Sequence, residues 1–407
     1  MDSLESNRTW HLVDLPPGCK AIGCKWVLRK KLKPDGSVDK YKARLVAKGF
    51  RQRENIDFFD TFSPVTRITS IRVLISIAAL NNLLIHQMDV KTAFLNCDLE
   101  EEIYMKQFEG FIVHGQESKV CKLDKSLYGL KQASKQWHEK FDNLFMSKGF
   151  KVNESDKCIY YKNEGRLCII ICLYVDDMLI FGSNLHVVND VKSMFSANLD
   201  MKDLGEANVI LGIKITRTEN GIFLDQSHYI EKILKKYNYF DSKPARTPYD
   251  SSVKLFKNTG DSVNQTEYAS IIGSLRRSCG LEIQETCNLS QSMMESEMIA
   301  LASGSEEASW LRSLLSEIPT WERPILAILI HCDSTAAIAK VQNHYYNGKR
   351  RQIRCKHSTI RELLTTGAVI VDYIRSDNNL VDPLTKGLAR EKIFKTSERM
   401  GLKPIKT

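Results

Sequence analysis

Residues 167–182 read Leu167-Cys-Ile-Ile-Ile-Cys-Leu-Tyr-Val-Asp-Asp-Met-Leu-Ile-Phe-Gly182. Aliphatic, β-branched and aromatic residues in this density suit a buried strand. Two adjacent carboxylates, Asp176 and Asp177, interrupt the run. A carboxylate in apolar surroundings must be neutralised, solvated or bound to a cation. A hairpin with both acids at its turn, presenting them to divalent cations, resolves the conflict. The competing reading is that Asp simply favours turns. It is weakened because no Gly, Pro or Asn accompanies the pair to make an ordinary loop.

A two-metal phosphoryl-transfer site needs carboxylates from separate segments, holding cations about 3.5–4 Å apart. Asp89, in Ile85-His-Gln-Met-Asp-Val-Lys-Thr-Ala-Phe-Leu-Asn96, fits as the partner. An Asp at a strand end is usually a cap or turn residue. Here it ends a buried-type strand, and a small residue and an aromatic, Ala93-Phe94, follow shortly after.

The chain has 407 residues, enough for two or three domains, and at 43% hydrophobic and 26% charged it can build real cores. Its apolar runs are too short to span a bilayer and its N-terminus has no apolar signal region, resembling instead the tail of a helix from a longer protein. Eleven Cys without a Cys-x-x-Cys pair read as reduced, mostly core thiols. The net charge of +9 is concentrated. Residues 20–53 hold twelve Lys or Arg against two acids, and residues 348–361 hold six against none. A basic run is commonly a solvated surface. Two such patches without an amphipathic anchor fit a phosphate-backbone partner better than a membrane.

Periodicity and turn residues predict a hairpin over 24–50, turning at Pro34-Asp-Gly-Ser, a helix over 68–81, and a strand over His86–Ala93. Asp124–Gly149 is helical after its first residues, with Trp137, Phe141, Leu144 and Phe145 on one stripe. After the Asp-Asp hairpin come a helix, Val187–Asn198, a second hairpin of Asn208–Arg217 with Gly221–Asp225, and a basic helix, Gln226–Tyr237. Pro244–Gly280, rich in Ser, Asn and Pro, reads as a connector. Beyond it, Met294–Leu315, Ser334–Val341, Ser358–Leu364 and Pro383–Leu388 read as helices and Ile325–Asp333 and Ala368–Tyr373 as strands, an α/β order.

Several motifs occur in a fixed succession: Trp26-Val-Leu-Arg-Lys-Lys, Tyr41-Lys-Ala-Arg-Leu-Val-Ala-Lys-Gly-Phe, Asp89-Val-Lys-Thr-Ala-Phe-Leu, Leu127-Tyr-Gly-Leu-Lys-Gln-Ala-Ser-Lys-Gln-Trp137, Leu173-Tyr-Val-Asp-Asp-Met-Leu-Ile and Leu211-Gly-Ile. Over essentially the whole chain they resemble the reverse transcriptase region of copia-type LTR retrotransposon Pol polyproteins. The resemblance implies an α+β chain: right-hand polymerase fingers and palm, with an antiparallel palm sheet and helices, over 1–243; a connector with a shortened thumb over 244–289; and an incomplete α/β RNase H-like domain over 290–407. It implies an RNA-directed DNA polymerase using two magnesium ions, an RNA template, a DNA primer and deoxynucleoside triphosphates.

Asp89 and Asp176 are then the metal-holding pair, with Asp177 supporting them because neighbours on a strand point oppositely. Lys42 and Arg44, two apart on a strand, share a face and clamp the triphosphate, unless that strand is merely a solvated basic one. Ala93 and Phe94 sit at the sugar, Phe94 excluding a ribose 2′-OH, the competing reading being an ordinary core Phe. Gln132 and Tyr174 lie beside the nucleotide, though Gln132 also reads as helix-surface polarity. Leu211-Gly-Ile resembles the hairpin that grips the primer end. The expected setting is a cytoplasmic particle or the nucleus, with a second copy or other Pol and Gag products as partners.

The segments Ser290-Gln-Ser-Met-Met-Glu-Ser-Glu-Met-Ile-Ala-Leu301, His331-Cys-Asp-Ser-Thr-Ala-Ala-Ile338 and Val381-Asp-Pro-Leu-Thr-Lys-Gly387 resemble the RNase H part of the same family. Of its four carboxylates three have candidates, Glu297, Asp333 and Asp382; helix capping competes for the last two. Glu295 and Glu297 are two apart on a helix and only one can face a site. No Asp-Ala-Asp-Trp-like segment precedes the Glu helix. The expectation is an RNase H unit without its first strands, inactive and either loosely packed or dependent on a partner.

Overall fold

The structure, a computed structural model, describes residues 2–32, 37–164, 167–219, 221–242, 264–279, 292–321, 324–346, 350–381 and 390–400. Chain packing divides into two compact units: Met1–Asn208 with Arg217–Ile222, and Val209–Thr216 with Phe223–Thr407.

The first unit opens with a short helix α1 (Asp2–Ser6), the strand β1 (Trp10–Val13) and a long antiparallel hairpin, β2 (Cys24–Leu32) with β3 (Val38–Ala47). The hairpin agrees with the expectation; its proposed turn at 34–37 lies outside the described residues except for Ser37. Helix α2 (Ile68–Leu80) leads to β4 (Leu84–Val90). Two short strands, β5 (Tyr104–Lys106) and β6 (Val120–Leu123), join β1 in a small sheet that sequence patterning does not foretell. Helix α3 (Ala133–Ser147) is followed by β7 (Lys151–Val152), β8 (Ile159–Glu164), β9 (Leu167–Tyr174), β10 (Asp177–Gly182), helix α4 (Leu185–Ser196) and β11 (Met201–Glu206).

The main sheet has the order β11-β4-β10-β9-β8-β7, antiparallel at every step. Its pleat sends Met88, Val90, Ile169, Ile171, Leu173, Met178 and Ile180 to one face. There they meet the stripe anticipated on α3, with Trp137, Phe141 and Phe145 buried and Leu144 partly so, and Val188, Val191 and Phe195 of α4. The opposite face carries Gln87, Asp89, Asp177 and Leu179.

Asp156, 8% exposed, fastens α2 to the β7–β8 turn. Its carboxylate accepts from Ser70 Oγ at 2.5 Å, Thr66 Oγ1 at 2.8 Å and the Cys158 amide at 3.1 Å. It thus ties two hydroxyls at the start of α2 to that turn; the cap position of α2 is Arg67, which has no side-chain cap and whose amide donates to the same carboxylate at 3.4 Å.

Next along the chain β12 (Val209–Ile210), β13 (Ile213–Thr218) and β14 (Gly221–Asp225) form a three-stranded sheet. Helix α5 (Ser227–Lys236) follows. The stretch expected to be connector contains a helix, α6 (Gln265–Cys279), joined to the end of α5 by a Tyr237–Ser270 hydroxyl contact of 2.6 Å. Its Ile271 and Ile272 lie among polar residues, so composition alone gave no helical stripe.

Helix α7 (Met293–Glu317) starts at Ser292, whose hydroxyl accepts from the Glu295 amide at 3.2 Å. It packs Met298, Ile299, Leu301 and Ala302 against β15 (Ile328–Cys332), α8 (Thr335–Gln342) and α9 (Arg351–Thr365). The α9 helix is longer than the expected 358–364 because Ile353 extends its buried stripe by two turns. Strand β16 (Val369–Tyr373) pairs in parallel with β15, and α10 (Arg390–Arg399) is a helix the sequence reading did not anticipate. Among the described residues this sheet has two strands, and Leu329 and Ile370 remain half exposed. Parallel strands are normally covered on both faces. The expected helix at 383–388 lies outside the described residues.

Candidate active site

Strand β9 ends at Tyr174 and β10 begins at Asp177, its Cα partner, so Val175 and Asp176 form a two-residue turn. Val175 has φ of 58°. A β-branched residue in the left-handed region is strained and persists only where its surroundings over-determine it. Here the Trp137 indole N–H donates to the Val175 carbonyl at 2.6 Å, and the Val90 amide donates to the Asp176 carbonyl at 2.9 Å. The turn is pinned from α3 on one side and from β4 on the other.

Across the ladder Asp177 is the direct partner of Asp89. Opposite residues of an antiparallel pair project to the same face, with Cβ atoms about 4.5–5.5 Å apart. The sheet therefore sets two carboxylates side by side, with Asp176 in the adjoining turn. Asp176 is a turn residue, so strand alternation does not govern it, and Asp177 is not turned away from Asp89 as alternation suggested. The Gln87 amide donates to Asp177 Oδ1 at 3.1 Å. All three acids are partly exposed. Like charges set directly opposite one another destabilise a sheet, and a bound cation relieves that repulsion.

These oxygen donors fit a hard divalent cation. Among the described residues no group of three His, Cys, Asp or Glu forms a ready cage.

Ala93 and Phe94 lie on the 3-10 turn Ala93–Asn96, entered through Thr92 with φ of 51°. Ala93 is buried, and Phe94 is half-buried with its ring centre 4.8 Å from that of Tyr128. Arg44 reaches over the other side of this contact, its guanidinium 5.4 Å from the Tyr128 ring centre. Arg44 and Lys42 share a face of β3 with Val27 and Arg29 as their partners on β2. Burial raises the Tyr128 phenol, the charges of Asp176 and Asp89 add to the rise, and Arg44 opposes it. Tyr128 thus joins Arg44, Phe94 and the acids. Its position in Leu127-Tyr-Gly-Leu-Lys-Gln132 implies no role by itself; its place arises from long-range contacts.

Gln132 is 1% exposed and is not helix-surface polarity. Its Oε1 accepts from Gln52 Nε2 at 2.9 Å and its Nε2 donates to the Asp57 carbonyl at 3.0 Å. Its amide is committed to the protein. Tyr174 is half-buried beside the turn.

In the second unit, burial raises the Cys332 thiol and the charges of Glu297 and Asp333 add to that rise, so both acids lie in the neighbourhood of this thiol. Glu295 is engaged elsewhere, by Arg350 at 3.0 Å. The cap of α8 is Ser334, whose hydroxyl accepts from the Ala337 amide, and not Asp333. Asp382 lies outside the described residues.

A family model described as reverse transcriptase (RNA-dependent DNA polymerase) matches residues 7–251. The chain belongs to the reverse transcriptase family. The chain is 34% identical, over 99% of its length and 37% of the relative's, to the retrovirus-related Pol polyprotein from transposon TNT 1-94 of Nicotiana tabacum. It is 29% identical, over 97% of its length and 33% of the relative's, to the Pol polyprotein from transposon RE1 of Arabidopsis thaliana. The copia-type retrotransposon resemblance read from the motifs is thereby borne out. The chain spans about a third of the length of these curated relatives. The tobacco alignment runs over 498 positions against a chain of 407 residues, so at least 91 of them have no counterpart here. Among solved structures, an apo telomerase from Candida tropicalis covers 54% of this chain and 58% of that one at 10% identity, with a TM-score of 0.28, too low to bear on the reading. Among the described residues no helix is long and apolar enough to cross a membrane.

Proposed function

We propose that this chain is the RNA-directed DNA polymerase portion of a copia-type Pol polyprotein, extending a DNA primer on an RNA template. The observation that carries the reading is Asp89 directly opposite Asp177, with Asp176 in the strained turn beside them. The primer 3′-oxygen attacks the α-phosphorus of a deoxynucleoside triphosphate, the bond to the bridging β-phosphate oxygen breaks, pyrophosphate leaves and the hydroxyl proton passes to solvent. Asp89 and Asp176 would hold magnesium, with Asp177 supporting them. Two such ions, when bound, activate the hydroxyl and stabilise the leaving group. Arg44 and Lys42 bind the triphosphate. Phe94, backed by Tyr128, closes the space a 2′-OH would need. Tyr174 flanks the turn, and Gln132 acts by holding the 52–57 loop to the start of α3 rather than by touching the nucleotide.

The fingers and palm take residues 1–243, a connector and reduced thumb 244–289, and an RNase H-like remnant 290–407. We assign no RNase H activity to that remnant: its sheet has two strands among the described residues, and the relatives carry positions this chain lacks. The same loss favours a second reading, a catalytically dead relic that retains nucleic-acid binding. Template, primer and triphosphates are the proposed partners, with a second copy or other Pol and Gag products, in a cytoplasmic particle or the nucleus.

Magnesium-dependent extension of a DNA primer on an RNA template tests the proposal, with Asp176→Asn as the control. Extension by the unmutated chain, lost in the control, is expected; no extension by either would favour the relic. Degradation of the RNA strand of a hybrid, abolished by Asp333→Asn, would overturn the RNase H assignment.

A further inference from the structure

The basic run 348–361 lies mostly on α9, and the proposed polymerase chemistry makes no use of it. Arg350 and Lys356 are engaged by Glu295 and Glu306 of α7 at 3.0 and 2.9 Å. Arg354 and Arg361 are placed differently. They stand two helical turns apart and share one face of α9, with His357 and Ser358 between them. Among the described residues neither guanidinium is paired with a carboxylate. Arg361 donates instead to the Gln342 carbonyl at 3.3 Å and lies 3.0 Å from His344 Nδ1, so its charge is oriented without being neutralised.

The facing wall is residues 344–346. His357, 4% exposed, fixes it in place: its Nε2 lies 3.0 Å from the Lys340 carbonyl and 3.1 Å from that of Asn343. Two carbonyls at that distance require an N–H there, so the ring is a donor and α9 is tied to the end of α8. The Tyr346 ring packs on His357, and the Lys340 ammonium stands 4.9 Å from the centre of the Tyr346 ring. Between wall and helix lies a cleft of about 410 Å³ with no acid in its lining. Tyr345, on its rim, is 78% exposed.

A concave site lined by uncompensated cations concentrates anions. Guanidinium forks match phosphate oxygens in pairs. An exposed aromatic ring beside such a site offers a stacking surface for an unpaired base, which a duplex does not present. We propose that this cleft binds single-stranded nucleic acid, Arg354 and Arg361 gripping a backbone phosphate and Tyr345 stacking on the neighbouring base.

The test is fluorescence anisotropy of a short labelled oligothymidylate with the full chain, in EDTA, over a salt series. Neither metal nor catalysis is involved, so a failure of primer extension leaves the measurement standing. The Arg354→Gln, Arg361→Gln double variant should weaken binding and flatten the slope of log affinity against log salt by about 0.7, the value for one phosphate contact on a single strand. Tyr345→Ala should weaken binding about fivefold or more with the slope retained. Unchanged affinity and slope in the double variant would overturn the proposal. So would a loss confined to the arginine variant, which would mark a patch for any polyanion.

Discussion

Phe94 belongs to the core, and the proposed function gives it a second task at the sugar. It packs against two hydrophobic clusters of the first unit while its ring meets Tyr128. If it senses the sugar, Phe94→Ala should raise ribonucleotide incorporation relative to deoxynucleotide; primer extension with each triphosphate type checks this, and unchanged selectivity would leave Phe94 a core residue only. His86 supplies a pH dependence. Burial, helped by the neighbouring Lys192 ammonium, holds its pKa below the usual 6.5. Its Nδ1 lies 2.9 Å from Lys192 Nζ, which also binds Asp203 at 2.8 Å. Because the folded-state pKa is depressed, the folded state favours neutral His86. Its contribution to stability is complete above pH 6.5 and is lost as pH falls through the lowered value. Melting temperature measured across that window should fall in the unmutated chain and fall less in His86→Gln.

Elements were legible where side-chain period was strong. The 167–182 hairpin and the Trp137, Phe141, Phe145 stripe needed only alternation and helical spacing. Strand β11 was not legible, because Met201-Lys-Asp-Leu-Gly-Glu is an exposed edge with polar residues on both faces. The acids were found from chemistry, whereas their relative orientation needed the register that puts Asp177 opposite Asp89. Tyr128 escaped because Arg44, which gives it meaning, arrives from another element. That meeting depends on Gly129, at φ +94°, where an added Cβ would fall 2.2 Å from the Ala47 carbonyl oxygen. Gly129→Ala should therefore destabilise the first unit by more than about 1 kcal/mol and displace Arg44 from Tyr128. Thermal unfolding and triphosphate KM report the two effects; a variant matching the unmutated chain in both would show that β3 is not seated there.

At the scale of the molecule, the thiols record where the chain is closed to solvent. Burial pushes Cys97 and Cys168 up to about 11 and Cys121 and Cys158 up to about 12. Cys355 is exposed, and Cys19 and Cys24 are partly so. Thiolate is the reactive form, so alkylation of the native chain at neutral pH should mark Cys355 before the four buried thiols, which stay unmodified until the chain unfolds. Peptide mapping by mass spectrometry reads this directly, and early labelling of Cys158 would mean that the main sheet opens. In the C-terminal unit Leu329 and Ile370 are half bare on a sheet that has two strands among the described residues. The seat at Gly129 has a kinematic consequence. The Ala47 amide donates to the Tyr128 carbonyl at 2.8 Å, and Gly49 also lies tight against Gly129. The long hairpin cannot swing from its root, so any closing over a nucleotide must be a flexing of its outer half, beyond Leu45, like a blade clamped at one end.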